Sequence, residues 1–291
     1  LRSLADAGVP ALAFKGPVVA ELAYDNPNSR TCTDLDVFVR KADVPRTLKA
    51  LHELGFVPRN PLQENYDDRW STYLPYHRPH GNANGYVRDP GTPGELRLDL
   101  HWGFASRYFL CGWDPAGVWK RQQTHPIDGV DVPTFSDVDT LIFLCMHAAK
   151  DNYDRLRLVC DIAALMRSHP TVDIAAALTI ARRAGCVRML RLGMTLAHVL
   201  LDAPLPDACR FWAAKPSTAS LVQQAVELLF APRHGIAGIV QRSRFHLQVR
   251  DQRRDAVGTI FYQIELSLHT LLGRLRPEGS STAVPASLPS Q

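Results

Sequence analysis

The hydrophobic period of this 291-residue chain changes once, at Ser136. Before that point apolar residues come in short runs and strict alternations; after it they recur at helical spacing. The switch predicts an α+β fold: a mixed sheet with flanking helices over residues 1–135, then an all-helical domain over 136–277. The small, polar, Pro/Ser-rich segment 278–291 is expected to be disordered. In the first part, Val9 to Phe14 reads as a strand, and Lys15-Gly16-Pro17 turns it into a helix ending at Tyr24. Pro17 suits the first helical position, where its missing N–H is harmless. Asp34 to Val39 is a second strand. Val44, Leu48, Leu51 and Leu54 follow Asp43 at helical spacing, with Gly55 as the stop, and Phe56-Val57 begins another strand. Residues 59–94 read as a loop or lid with short strands. Glu95 to Trp102 alternates strictly, and Thr124 to Phe135 reads as a hairpin turning at Asp128-Gly129. In the second part, Ser136-Asp137-Val138-Asp139 matches a helix start. Residues 155–167, 173–184, 187–202, 217–230 and 256–275 each read as helical.

Composition excludes several classes. The chain is 46% hydrophobic and 21% charged, as in ordinary globular proteins. A formal net charge of +4 is too small to indicate nucleic acid. The six cysteines form no C-x-x-C pair, so neither a zinc ribbon nor a disulfide framework is expected. No apolar run approaches the roughly 18 residues of a membrane span, and no secretory signal is visible. A cytoplasmic protein without a membrane partner is the expectation.

The chemistry concentrates in Asp34-Leu35-Asp36-Val37-Phe38-Val39. In a strand Asp34 and Asp36 share a face, roughly 6.5–7 Å apart. Such a pair is costly unless a cation sits between its members. Mg²⁺ takes hard oxygen ligands and is held by one or two carboxylates together with substrate phosphates. Asp99, on the polar face of Glu95–Trp102, is placed to close the site from a neighbouring strand. These three acids are the candidate metal ligands, against a nucleoside triphosphate. An exposed acidic strand end is the plainer alternative for Asp34 and Asp36.

Other residues carry two readings each. Lys15 is a point charge for a phosphate or a surface lysine at a strand end. Arg30 reaches a phosphate oxygen or is an exposed loop arginine. His101 stands beside the metal ligands or is a hydrogen-bonded structural histidine, and Trp102 reads as core. His147, Lys150 and Asp151 fall within about one helical turn; they line the cleft and touch nucleotide or acceptor, or form a plain charged helix face. Arg242, Arg244, Arg250, Arg253 and Arg254 read as a solvated face. Tyr66, Trp70, Tyr73, Tyr76 and His77 clamp a base or acceptor from a lid, or pack the inside of a loop.

Together, Phe14-Lys15-Gly16-Pro17-Val18-Val19-Ala20, Tyr24, Arg30 and Asp34–Val39 resemble the core of the DNA-polymerase-β-type nucleotidyltransferases, in particular a group of uncharacterised bacterial members. The resemblance continues through Leu98–Trp102, Leu144–Lys150 and Asp161-Ile162-Ala163, spanning about residues 10–205. It implies a nucleotidyltransferase-type sheet. It also implies transfer of a nucleoside monophosphate from NTP to an acceptor hydroxyl, with release of pyrophosphate. Asp34 and Asp36 would bind two Mg²⁺ ions, Asp99 would be the third carboxylate, and Gly16 would admit the triphosphate. The acceptor, a small molecule, peptide or protein, is not legible in the sequence, nor are the NTP and the oligomeric state. One departure stands out: where much of the superfamily has Gly-Ser or Gly-Gly, this chain has Lys15-Gly16-Pro17, without the serine hydroxyl or the proline N–H. That departure motivates an alternative, a catalytically degenerate nucleotide-binding regulatory module.

Overall fold

A computed structural model describes residues 1–59, 83–104, 112–230 and 236–251. The lid aromatics Tyr66 to His77, Arg253 and Arg254, the expected helix at 256–275 and the tail lie outside the described residues. Among those described, seven strands form one mixed sheet: β1 (Ala11–Phe14), β2 (Leu35–Val39), β3 (Val57–Pro58), β4 (Ala83–Arg88), β5 (Leu96–His101), β6 (Gln123–Ile127) and β7 (Val130–Thr134). Their spatial order is β3-β4-β5-β2-β1-β7-β6. β2 runs antiparallel to β1 and parallel to β5. The β6–β7 hairpin turns at Asp128 and Gly129, both with positive φ as a two-residue hairpin turn requires.

Register decides which side chains share a face. Phe14 lies opposite Asp36 and Leu12 opposite Phe38; across the parallel pair, Asp36 aligns with Asp99 and Phe38 with His101. One face of the sheet therefore carries Leu12, Phe14, Asp36, Phe38, Asp99 and His101. Val37, Val39, Leu98 and Leu100 occupy the other. That second face is covered by helices α1 (Arg2–Asp6) and α3 (Val44–Glu53), through Leu4, Val44 and Leu51. α2 (Gly16–Ala23) follows β1 directly, with Pro17 in its first turn.

The helical part covers the acid-bearing face. It begins with α4 (Pro115–Arg121), α5 (Asp137–Lys150), α6 (Leu156–Ser168), α7 (Ile174–Ala184) and α8 (Val187–Leu201). α9 (Asp207–Ala213), α10 (Pro216–Phe230) and α11 (Ile236–Val249) complete it. Ser136 caps α5 by accepting from the Asp139 N–H at 3.1 Å. Asp139 is itself fully buried and receives Arg121 on both oxygens, at 2.9 and 2.7 Å, which clamps α4 to α5. One apolar cluster runs from Leu12, Phe14 and Phe38 on the sheet through Phe135 and Phe143 to the helices. The sheet and the helices thus share an interior, and the acids lie at its edge.

Three features depart from the sequence reading. β4, at six residues, is longer than the short strands expected within the loop or lid segment, and is paired on both sides by β3 and β5. α4 was not anticipated, although Asp114 caps it through the N–H groups of Ala116 and Gly117, both at 2.9 Å, ahead of Pro115. Arg250, assigned to a solvated face, is buried, as are Phe245 and Val249 on α11. Phe245 and Val249 turn one side of α11 inward, with Arg250 just beyond it, while Arg244 stays exposed.

Candidate active site

The site forms where β1 ends. Lys15 has φ 56° and ψ −154°, a conformation costly for a residue with a Cβ. Gly16 follows with φ +39°, and a Cβ there would meet the Asp34 carbonyl oxygen at 3.0 Å. The glycine is therefore needed for the turn to lie against the chain just before β2.

This turn delivers the Lys15 ammonium to Asp36, with Nζ 2.6 Å from Oδ1. The same oxygen receives His101 Nε2 at 3.0 Å. Lys15 Nζ also lies 5.5 Å from the ring centroids of both Phe14 and Phe143, so its ammonium rests between the sheet and α5. On the adjacent strand Asp99 pairs with Arg59. One ligand atom each from Asp36, Asp99 and His101 lie within 4.8 Å of one another. The strands thus bring Asp36 and Asp99 together, with a ring nitrogen beside them.

The charges in this cluster are unequal. Burial pushes the Asp36 carboxyl up, but Lys15 and His101 outweigh it and hold the group below its ordinary value. Asp99 goes the other way: burial raises it, Arg59 only partly offsets that, and Asp36 and Asp34 add repulsion. Burial lowers His101 despite its bond to Asp36, keeping the imidazole neutral near pH 7. Two crowded carboxylates, one of them under-compensated, beside an ammonium that already stands against Asp36, form a donor set suited to a hard divalent cation.

Asp34 sits one residue before β2, half-buried, with Thr33 Oγ1 3.2 Å from its Oδ1. It acts on Asp99 electrostatically but is not in the compact Asp36–Asp99–His101 group. Arg30 is placed differently from a free phosphate ligand. It donates Nε and Nη2 to the two oxygens of Asp161 on α6, at 2.8 and 2.9 Å, and Nη1 to the Gly16 carbonyl at 2.8 Å. It meets the site through the backbone of the turn.

α5 supplies the opposite wall. Phe143 and His147 stack at 5.6 Å between centroids. His147 is pushed well below its ordinary value, first by burial and then by Lys15, Lys150 and Arg155. Asp151 collects this group: His147 lies 3.7 Å, Lys150 3.5 Å and Arg155 3.4 Å from its carboxylate. His147 therefore stands near Lys15 and His101, while Lys150 and Arg155 are paired with Asp151. Arg59, Phe143 and Arg155 were not singled out in the sequence. Phe143 lies four residues before His147, one helical turn away, a spacing that links them only once α5 is assigned.

Comparison with known proteins gives the following. A family described as "Uncharacterised nucleotidyltransferase" matches residues 1–202. No curated protein matches the chain. A solved structure, an antigenic nucleotidyltransferase-like protein from Paracoccidioides brasiliensis, is similar over 65% of this chain and 88% of its own length, at 14% identity and a TM-score of 0.39. No helix among the described residues is long and apolar enough to cross a membrane.

Proposed function

The chain belongs to this family of uncharacterised nucleotidyltransferases, and from that premise we propose that it moves a nucleoside monophosphate from an NTP to an acceptor hydroxyl with Mg²⁺. The observation that carries the reading is the convergence of Asp36, Asp99 and His101 beside the Lys15-Gly16 turn. Asp36 and Asp99 would hold Mg²⁺, with Asp34 at the rim. Bound there, the metal would neutralise charge on the phosphates and on the leaving pyrophosphate.

The chain's own residues do the rest. Lys15, His147 and Lys150 would receive the triphosphate. Arg30 donates to the Gly16 carbonyl at 2.8 Å and would fix the turn that receives the phosphates. Asp99 would also accept the proton of the acceptor hydroxyl, as a carboxylate within hydrogen-bond reach can. The acceptor oxygen bonds to the α-phosphorus, the bond from that phosphorus to the pyrophosphate oxygen breaks, and pyrophosphate leaves. The acceptor is a small molecule, peptide or protein.

The test is incubation of the full chain with each α-labelled NTP, Mg²⁺ and cell extract. Label transfer with pyrophosphate release is expected from wild type, and none from Asp36→Asn. Undiminished transfer by Asp36→Asn would overturn the assignment. A second reading, nucleotide binding without chemistry, is favoured by the cations already paired with Asp36 and Asp99 and by Pro17, which offers no N–H. It predicts affinity without label transfer.

A further inference from the structure

We propose that Lys15 is an exchangeable internal cation: it occupies Asp36 while the nucleotide is absent, and yields that carboxylate to the metal when its ammonium moves onto the triphosphate. The inference rests on the function proposed above and deepens it, since it states how metal and nucleotide binding are coupled at one site.

Three observations carry it. First, the Lys15 ammonium stands 2.6 Å from Asp36 Oδ1, against one of the carboxylates that would ligate a metal. Two cations cannot share that oxygen at bonding distance without strong repulsion. Second, the hold is a point charge. Lys15 and His101 both approach Asp36 most closely at Oδ1, and a lysine ammonium on a flexible stem exchanges partners more readily than a bidentate guanidinium. Third, the main chain of Lys15 is held at φ 56° and ψ −154°, and its side chain lies between Phe14 and Phe143. Strained backbone of this kind persists where the surroundings over-determine it, and here it aims the ammonium across the gap between the acids and α5. The ammonium therefore lies between Asp36 on the sheet and Phe143 on α5.

The consequence is ordered affinity. Metal alone must displace Lys15 and leave its ammonium without the Asp36 carboxylate. Metal arriving with a triphosphate gives Lys15 a new anionic partner. The two ligands then favour each other through one side chain.

The experiment measures Mn²⁺ binding to the full chain at pH 8 by the spectroscopic signal of free Mn²⁺. It compares wild type with Lys15→Met, Lys15→Gln and Asp36→Asn. Inorganic triphosphate binding is measured separately in metal-free buffer. Lys15→Met should bind Mn²⁺ about tenfold more tightly than wild type, or more, and triphosphate about tenfold more weakly. Lys15→Gln, which keeps a hydrogen bond to Asp36 without the charge, should change in the same directions and serves if the methionine variant does not fold. Unchanged or weaker Mn²⁺ binding in the lysine variants overturns the exchange, as does unchanged triphosphate affinity. Equal Mn²⁺ binding by wild type and Asp36→Asn instead overturns the metal site itself, a failure recognisably different from the first.

Discussion

Two buried aspartates in this molecule, Asp161 and Asp36, solve the same problem in opposite ways. Asp161 on α6 receives Arg30 on both oxygens and the Tyr24 hydroxyl on Oδ1 at 2.8 Å. It is a closed arrangement that ties α2 and the following loop to the helical part. Asp36 on β2 makes its closest contacts with Lys15 and His101, both at Oδ1. Its cation is a lysine ammonium, and a second carboxylate stands on the next strand. The first cluster is built for rigidity; the second keeps valence in reserve. A carboxylate saturated by a fork-shaped guanidinium positions structure, whereas one held by a single point charge beside a like charge is poised to take a ligand.

This contrast can be broken or sharpened by mutation. The largest expected effect is on activity. Asp36→Asn should lower nucleotidyl transfer about a thousandfold or more while leaving the far-ultraviolet circular dichroism intact. Arg30→Met should do the reverse in kind. It strands a buried carboxylate, and breaking such a pair costs about 3–5 kcal/mol, read as a lower urea midpoint. If Arg30→Met left the midpoint unchanged, the Asp161 cluster would not be the rigid member of the pair.

Smaller effects test the details. Tyr24→Phe removes one hydrogen bond to Asp161 and should cost about 1 kcal/mol. Asp99→Asn should abolish transfer yet stabilise the metal-free protein by up to about 1 kcal/mol near neutral pH. The sign follows from Asp99 being raised. Its ionised form is disfavoured by folding, so the wild type loses stability as pH rises through that raised value, and asparagine does not. The gain should fade in thermal melts as pH falls below the ordinary carboxylate range, where Asp99 is neutral in both states. A variant that is less stable at every pH would show Asp99 to be a structural residue instead.

Much of this contrast was legible in the residues, and the missing part has a physical cause. Alternation in Leu96 to His101 placed Asp99 and His101 on one face, and the acid-apolar-acid stretch placed Asp36 on a strand. Both follow from the two-residue period of extended chain, and register then aligns Asp36 with Asp99. The Lys15-Gly16-Pro17 turn was read as the strand-to-helix junction, which it is. The partner of Arg30 was not readable, because Asp161 lies 131 residues away and only packing of α2 against α6 brings them together. Arg59 was missed for the same reason: its link to Asp99 depends on β4, whose A-N-G-Y-V-R sequence lacks a clean alternation. The burial of Arg250 is not legible because it follows from the inward-facing Phe245 and Val249 of the helix that ends just before it.

The most direct test of the central claim is the anomalous scattering of Mn²⁺ in crystals of the full chain grown with a non-hydrolysable NTP. The account predicts a Mn²⁺ peak bonded to Asp36 and Asp99, with Lys15 moved onto a phosphate. Bound nucleotide with Lys15 still on Asp36, Arg59 still on Asp99 and no peak between the two strands would contradict it.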